Sequence, residues 1–367
     1  MKGKRIVMAV TNDLTYDRRM YRICNALAES GSIVTLIGRH RSNSKDFRPG
    51  SFESYRFRCW FNTGALFYAE YNIRLWWILL WSKFDIACAC DLDTAPAVLL
   101  SSWIKRKKTV YDAHEYFSEV PELNHRPAIK SIWEWIAKMS IHRFDARYTV
   151  GAELAALMGQ RYRVSFDVIR NIAPSSAIVY SHKDHDPKDK IILYQGALNV
   201  GRGLDTCIRA MTQLPEWTLW LAGEGDITES LKDLAQTCGV GDRVTFLGWV
   251  HPDQLPSILK KARVGINLRE QGSLNDYYSL PNKFFDAIHA GLPSIHMDYP
   301  EYATIMGQYP CGILLHEITD DNVVNAILDL EQHPEKWNAM HEACLQASKV
   351  FTWEKEAANL ISIYSSL

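Results

Sequence analysis

Residues 279–293 read SLPNKFFDAIHAGLP, and the way this segment carries a strand into a helix decides the fold. Residues 264–268 just upstream are a short apolar run of strand length. Pro281 stands where a first helical N–H has no partner, so the spacing predicts a helix from Pro281 to Gly291, with Pro293 just beyond. A helix start exposes unpaired N–H groups and about half a positive charge, which suits a phosphate. Lys283 falls inside that first turn, where a cation disfavours the helix unless an anion is near. The plain alternative is a buried helix whose Lys283 simply reaches solvent.

Upstream of this segment the same pattern recurs. IILYQGALNVGRGLD restarts from residue 191 as a strand, a glycine-punctuated loop and a helix. A strand at 218–222 leads into GEGD and a helix at 227–237. A strand at 244–247 leads into GWVHPDQL and a helix at 255–262. Each strand ends in a glycine-rich or polar loop, which makes a doubly wound α/β domain.

The first half is built alike. Residues 5–11 form a strand, TNDLTYD a polar loop, and Met20, Ile23, Cys24 and Leu27 share one helix face that ends at Gly31, before a strand at 33–37. Such βαβ units require a parallel sheet, and ligands bind beyond the carboxyl ends of its strands. The loop of Asn12, Asp13, Asp17 and Arg19 is therefore a candidate for ligand contact; a capping cluster led by Asp17 is the alternative. It lacks GxGxxG, which argues against a dinucleotide enzyme. Further strands are predicted at 85–90, 109–111, 146–150 and 167–170, and helices over DLDTAPAVLLSSWI, 127–144 and 152–160. His114 falls just past a strand end, where a surface or capping role competes with a site role. DLD at 91–93 reads as a helix cap, with a metal-binding carboxylate pair as the alternative.

At 367 residues and 47% apolar content, two ordinary domains are expected. Residues 174–189 are the linker, between an N-terminal domain at 1–173 and a C-terminal domain at 190–350. His182, Asp184 and His185 within that linker make a poor metal site, having no fourth ligand. Eight cysteines form neither CxxC pairs nor a framework, and no signal peptide precedes the first strand, so a reducing cytoplasm is expected.

The net charge of −1 hides an asymmetry: residues 1–173 carry a surplus of nine positive charges and the remainder a surplus of ten negative ones. A basic N-terminal domain suggests an anionic partner or surface. YNIRLWWILLWSK at 71–83 is apolar almost all round. A buried helix is the leading reading, and a helix lying in a membrane interface beside the basic run KRKK at 105–108 is the rival. The apolar run is too short to span a bilayer.

VTNDLTYDRR, VYDAHE, YQGALNVGRGL, WLAGEGD, VTFLGWV and SLPNKFFDAIHAGLP, in that order, resemble retaining nucleotide-sugar glycosyltransferases of GT-B architecture, family 4 (group 1). The resemblance covers nearly the whole chain. It implies two doubly wound Rossmann-like domains facing across a cleft, with residues 351–367 as a last helix returning to the first domain. It implies a metal-independent transfer from a nucleoside-diphosphate sugar to a glycan or lipid-diphosphate-linked acceptor, with no nucleic-acid partner. The protein would lie in the cytoplasm or at the inner face of the membrane.

Position by position, the resemblance assigns Asp286 to the donor ribose and leaves Tyr278 where a sugar-binding glutamate is usual, with Asp276 or the Tyr278 hydroxyl as substitutes. Ser279, Leu280, Pro281 and Asn282 belong to the donor site, and backbone N–H groups from Leu280 to Lys283 would meet the distal phosphate. Gly196 and Arg202 belong to the diphosphate loop, where Ala197 replaces an expected arginine and Lys283 supplies the lost charge. Trp249 and Val250 bracket the nucleobase, and Glu224 lies in the neighbouring loop. His114 lies beside the donor sugar, and Asn12, Asp13, Asp17 and Arg19 face the acceptor, with Arg19 on an acceptor phosphate. The competing functions are a nucleotide-sugar 2-epimerase, using Asp17, Glu115 and Glu119, and a catalytically silent nucleotide-sugar-binding scaffold.

Overall fold

The computed structural model describes residues 1–174, 190–251 and 253–367; the linker, apart from Pro174, and its His182, Asp184 and His185 lie outside them. The chain divides into two compact units, Met1–Asn171 with Glu356–Leu367, and Ile172–Lys355.

The first unit runs β1 (Arg5–Ala9), α1 (Arg18–Glu29), β2 (Ile33–His40), β3 (Glu53–Arg58), α2 (Gly64–Trp81), β4 (Ile86–Cys90), α3 (Ala95–Lys105), β5 (Lys108–Ala113), α4 (Pro127–Ser140), β6 (Ala146–Thr149), α5 (Ala152–Tyr162) and β7 (Asp167–Val168). Its seven strands are parallel in the order β3-β2-β1-β4-β5-β6-β7. β4, IACAC, is buried at every position because helices cover both faces of a parallel sheet. Asp17 caps α1 by accepting from the Met20 N–H at 2.9 Å, and Met20, Ile23, Cys24 and Leu27 are buried together as their spacing predicts.

Two sequence expectations change here. α2 is not a wholly buried helix. Phe67, Tyr71, Leu75 and Leu79 form a single buried stripe, while Ile73, Trp77 and Trp81 are exposed, because the sheet and α3 reach one side of it. The KRKK run is also largely taken up within the fold. Lys105 Nζ donates to the carbonyls of Leu79 and Leu80 at the end of α2, Lys107 pairs with Asp85 and Lys108 with Asp145.

The second unit runs β8 (Ile191–Gln195), α6 (Leu204–Ala210), β9 (Thr218–Ala222), α7 (Thr228–Thr237), β10 (Val244–Gly248), α8 (Leu255–Leu259), β11 (Val264–Asn267), α9 (Leu274–Tyr277), α10 (Asn282–His289), β12 (Ser294–Met297), α11 (Pro300–Gln308), β13 (Gly312–Leu315), α12 (Asp320–Gln332) and α13 (Pro334–Ser348). Its six parallel strands lie in the order β10-β9-β8-β11-β12-β13, so the direction of winding reverses between β8 and β11. α10 begins one residue later than expected: Pro281, with φ −76° and ψ 153°, is the extended residue before the helix. Gly291 follows the helix end at φ +64°, the left-handed conformation that glycine adopts at little cost.

α14 (Trp353–Ser365) closes the chain. Within the first unit Glu356 accepts from the Arg170 backbone N–H at 2.9 Å and from its guanidinium at 3.1 Å, and the Tyr364 and Tyr148 hydroxyls lie 3.5 Å apart.

Candidate donor pocket and histidine cluster

In an open parallel sheet the crevice for a ligand forms where the winding reverses. In the second unit that place holds a pocket of about 670 Å³, lined by the loops after β8, β9, β10 and β11 and by the start of α10. Gly196, Arg202, Glu224, Trp249 and Val250 line it. So do Pro281, Asn282, Lys283 and Asp286, so most of the residues assigned to the donor from sequence converge on one cavity.

Backbone geometry holds the floor of the pocket. Gly196 N–H donates to the Ala222 carbonyl at 2.9 Å and Leu198 N–H to the Glu224 carbonyl at 3.1 Å, lacing the β8 and β9 loops together. At Gly223, with φ +153°, a Cβ would fall 1.9 Å from the Gly196 carbonyl oxygen, so the approach requires glycine.

Lys283 does not simply reach solvent. Its Nζ lies over the Tyr194 ring, 4.3 Å from the centroid, and among the described residues no carboxylate pairs with it. Burial, and after it the Arg202 and Arg269 guanidiniums, pushes the ammonium well below the ordinary lysine value. An anion at this point would be drawn to three cations and to the unpaired N–H groups opening α10.

Arg269 was not singled out from sequence. It follows β11 in the loop Leu268-Arg269-Glu270, and lying past a strand end was the one signal that could have found it. It supplies a charge that Ala197 withholds. It also settles the fate of Asp276. That carboxylate is buried, ion-paired to Arg269 and bonded by the Ser273 hydroxyl at 2.9 Å, so it does not replace the missing sugar-binding glutamate. Asp286 accepts from Gln195 Nε2 at 2.8 Å, which orients its carboxylate. Three of the predicted residues stand back from the pocket lining. Leu280 is buried in the core beneath α10, the Ser279 hydroxyl donates to the Asp276 carbonyl, and Tyr278 ends α9, half-buried edge-on against Tyr277.

In the first unit the winding reverses between β1 and β4, and the loops after β1, β4 and β5 meet there. His114 Nε2 lies 3.1 Å from Asp112 Oδ2, its Nδ1 lies 3.5 Å from Asp91 Oδ2, and its backbone N–H donates to Asp91 Oδ1 at 2.8 Å. Burial opposes charge on the ring, but Asp112 and Asp91 outweigh it and raise the imidazole to about 9. Asp112, despite burial, is held down to about 2 by Arg19 and His114. Burial pushes Asp93 up to about 7, and its carboxylate accepts from the Thr11 hydroxyl at 2.6 Å. DLD is therefore not a helix cap: Thr94 precedes α3, and the two aspartates buttress His114 and Thr11.

Arg19 also departs from expectation. It is buried, donating to Asp112 at 2.8 Å and to the Ile169 carbonyl at 3.0 Å, so its guanidinium stiffens the site instead of meeting an acceptor phosphate. Asn12, Asp13 and Asp17 form the local cap network: Asn12 bonds Asp17 at 2.6 Å, and Asp13 takes the Thr15 N–H and the Ser44 hydroxyl. Of the carboxylates an epimerase would need, Asp17 is a helix cap and Glu119 is paired with Lys130 at 2.7 Å. Cys90, Asp112 and His114 bring ligand atoms within 4.8 Å of one another, but Arg19 on Asp112 makes this a poor seat for a cation.

Two such parallel α/β units, one with a cationic pocket at its switch point, make a two-domain architecture of doubly wound sheets. The model described as glycosyl transferases group 1 matches residues 181–346, and that of glycosyltransferase family 4 matches residues 17–174. The chain belongs to the group 1 glycosyltransferases of GT-B fold.

Among relatives, it is 28% identical over 165 residues to the GDP-mannose-dependent alpha-(1-6)-phosphatidylinositol monomannoside mannosyltransferase of Mycobacterium tuberculosis, covering 43% of each chain. It is 39% identical over 79 residues to an uncharacterized glycosyltransferase of Methanocaldococcus jannaschii, covering 21% of this chain and 20% of that one. The matched stretches thus span less than half the length of these relatives. Sucrose-phosphate synthase from Thermosynechococcus elongatus superposes with a TM-score of 0.80 at 16% identity, over 99% of this chain and 98% of that one. Anabaena HepE in complex with UDP and glucose gives 0.75 at 15% identity, over 99% of both. At such identities the superpositions establish the fold.

Proposed function

We propose that this protein is a retaining, metal-independent hexosyltransferase, cytoplasmic in location. It moves a sugar from a nucleoside diphosphate to a glycan or lipid-linked acceptor in cell-surface polysaccharide synthesis. The observation that carries this reading is the convergence of Arg202, Arg269 and Lys283 on the pocket at the start of α10, with Lys283 lacking an anionic partner among the described residues. A diphosphate supplies that partner. The mycobacterial relative is named for its dependence on GDP-mannose, and HepE was solved with UDP and glucose; GDP-mannose and UDP both carry a diphosphate.

Placement supports the following roles. The diphosphate lies against Arg202, Arg269, Lys283 and the first N–H groups of α10, the ribose against Asp286, and the base beside Trp249 and Val250. Cleaving the glycosidic bond puts negative charge on the departing diphosphate. Cations already fixed in place lower that barrier, each donor contributing about 3 to 4 kcal/mol. His114, held charged at neutral pH chiefly by Asp112, is unsuited to act as a base; the family resemblance gives it the donor sugar, with the leaving phosphate oxygen taking the acceptor proton. Arg269 makes up the charge missing at Ala197, which weakens the silent-scaffold reading.

Thermal unfolding with UDP-, GDP-, ADP- and dTDP-sugars, followed by transfer assays on lipid and glycan extracts, tests the proposal. The right donor at a hundred times its dissociation constant stabilises the fold by about 2.7 kcal/mol. Binding without transfer to any extract would favour the scaffold, and free-sugar epimers the epimerase. No shift with any nucleotide sugar would refute the pocket assignment.

A further inference from the structure

The first unit carries an apolar surface that the proposed chemistry does not use. The connections from β3 to β4, β4 to β5 and β5 to β6 all step the same way across the sheet. Right-handed crossovers therefore place α2, α3 and α4 side by side on one face. Their outward sides are apolar: Trp77 and Trp81 on α2 are 58% and 75% exposed, Trp103 on α3 77%, and Trp135 on α4 64%. Between α3 and α4 runs a groove of about 780 Å³ whose walls include Leu99, Trp103, Trp135, Ile136 and Met139.

The charge around this surface is one-sided. The acids Asp85, Asp145 and Glu134 are taken up by Lys107, Lys108 and Arg161. Lys83, Arg106, Lys138 and Arg143, by contrast, have no acidic partner among the described residues. Lys83 and Arg106 follow the C-terminal ends of α2 and α3, close in sequence to Trp81 and Trp103; Lys138 lies in the last turn of α4, and Arg143 just past it lines the groove with Trp103. Exposed tryptophans beside unpaired cations suit the boundary between lipid headgroups and acyl chains. A second copy of this chain would set the same four cations against one another.

We infer that the α2–α3–α4 face docks on an anionic bilayer surface, its tryptophans at headgroup level and its four free cations on acidic headgroups. The face shares no residue with the donor pocket, so the inference does not depend on the proposed function. Among the described residues, no helix is long and apolar enough to cross a membrane, so attachment here is peripheral.

Co-sedimentation of the full chain with phosphatidylcholine vesicles, with and without phosphatidylglycerol, tests it. Binding is expected to the anionic vesicles, with release by salt. Trp103→Ser with Trp135→Ser, and separately Arg106→Glu with Lys138→Glu, should each weaken it about tenfold or more at an unchanged melting temperature. Acyl chains carrying bromine should quench the tryptophan fluorescence of the wild type more than that of the tryptophan variant. The inference falls if the wild type ignores anionic vesicles or if both variants bind as the wild type does. It falls equally if sedimentation shows a dimer that the tryptophan variant loses, since the face would then belong to a second copy.

Discussion

Lys283 Nζ lies 4.3 Å from the centre of the Tyr194 ring, and the same tyrosine's hydroxyl donates to the Ala197 carbonyl at 2.8 Å. The ring face partly offsets a cation that lacks a carboxylate, and the hydroxyl ties that cation to the loop where the expected arginine is missing. Lys283→Ala should lower kcat/KM by about 100- to 1000-fold, the loss of one preset donor. Steady-state kinetics with the identified donor check this, and an unchanged rate would remove Lys283 from the diphosphate site.

Nucleotide binding should take up a proton. Burial and two guanidiniums depress Lys283 in the free protein, and a diphosphate beside it restores the charge. Affinity therefore falls as pH rises above the depressed value, by up to about tenfold per pH unit until the bound-state value is reached. Calorimetry in buffers of differing ionisation enthalpy reads the proton directly, and the dependence should vanish in Lys283→Ala.

Arg269 does two things that mutation can separate. Arg269→Gln leaves the buried Asp276 carboxylate without its partner and should cost about 3 to 5 kcal/mol of stability. Adding Asp276→Asn removes the stranded charge and should restore much of the melting temperature. Activity should stay depressed in the double variant, because the pocket still lacks a cation; recovery of both would make Arg269 a purely structural residue.

The histidine cluster should leave a mark on the stability profile. His114 is raised to about 9, so its contribution is full below about pH 6.5 and is lost as pH climbs through 9. Asp112 is lowered to about 2, so its contribution is full above about pH 3.8 and is lost as pH falls toward 2. The pair is therefore strongest between those limits. Denaturant midpoints across pH should show His114→Gln flattening the alkaline limb, by up to about 3 kcal/mol.

Gly223→Ala should damage the pocket from its floor. Its Cβ would meet a backbone carbonyl at 1.9 Å with no side chain able to yield, so the β8 and β9 loops must part. A loss of at least about 1 to 3 kcal/mol is expected, with weakened nucleotide binding. Calorimetric melting alongside nucleotide titration reads both.

Local pattern made much of the second unit legible. Glycines punctuate the ends of β8, β9 and β10, and the alternation of apolar runs with these loops marked where a ligand-binding crevice forms; Lys283 was found from its helix start, and Gly196 and Glu224 through the family resemblance. Arg269 escaped because a lone arginine after a strand has no distinguishing neighbour. Its importance comes from Arg202 and Lys283, which are distant in sequence. Arg19 misled for the matching reason: an arginine in a strand-end loop looks available for phosphate until Asp112, ninety-three residues away, is seen to hold it.

The sequence by itself determined the two α/β repeats, the helix start at residues 281–283 and the charge imbalance between the halves, because periodicity, capping and composition are local or additive. Tertiary structure alone decided which charges are free and which apolar surfaces are covered. It paired Asp112 with Arg19 and Asp276 with Arg269, tied up three of the four residues in KRKK, and left the tryptophans of α2, α3 and α4 in solvent. Those outcomes depend on strand order, which brings residues far apart in the chain within bonding distance.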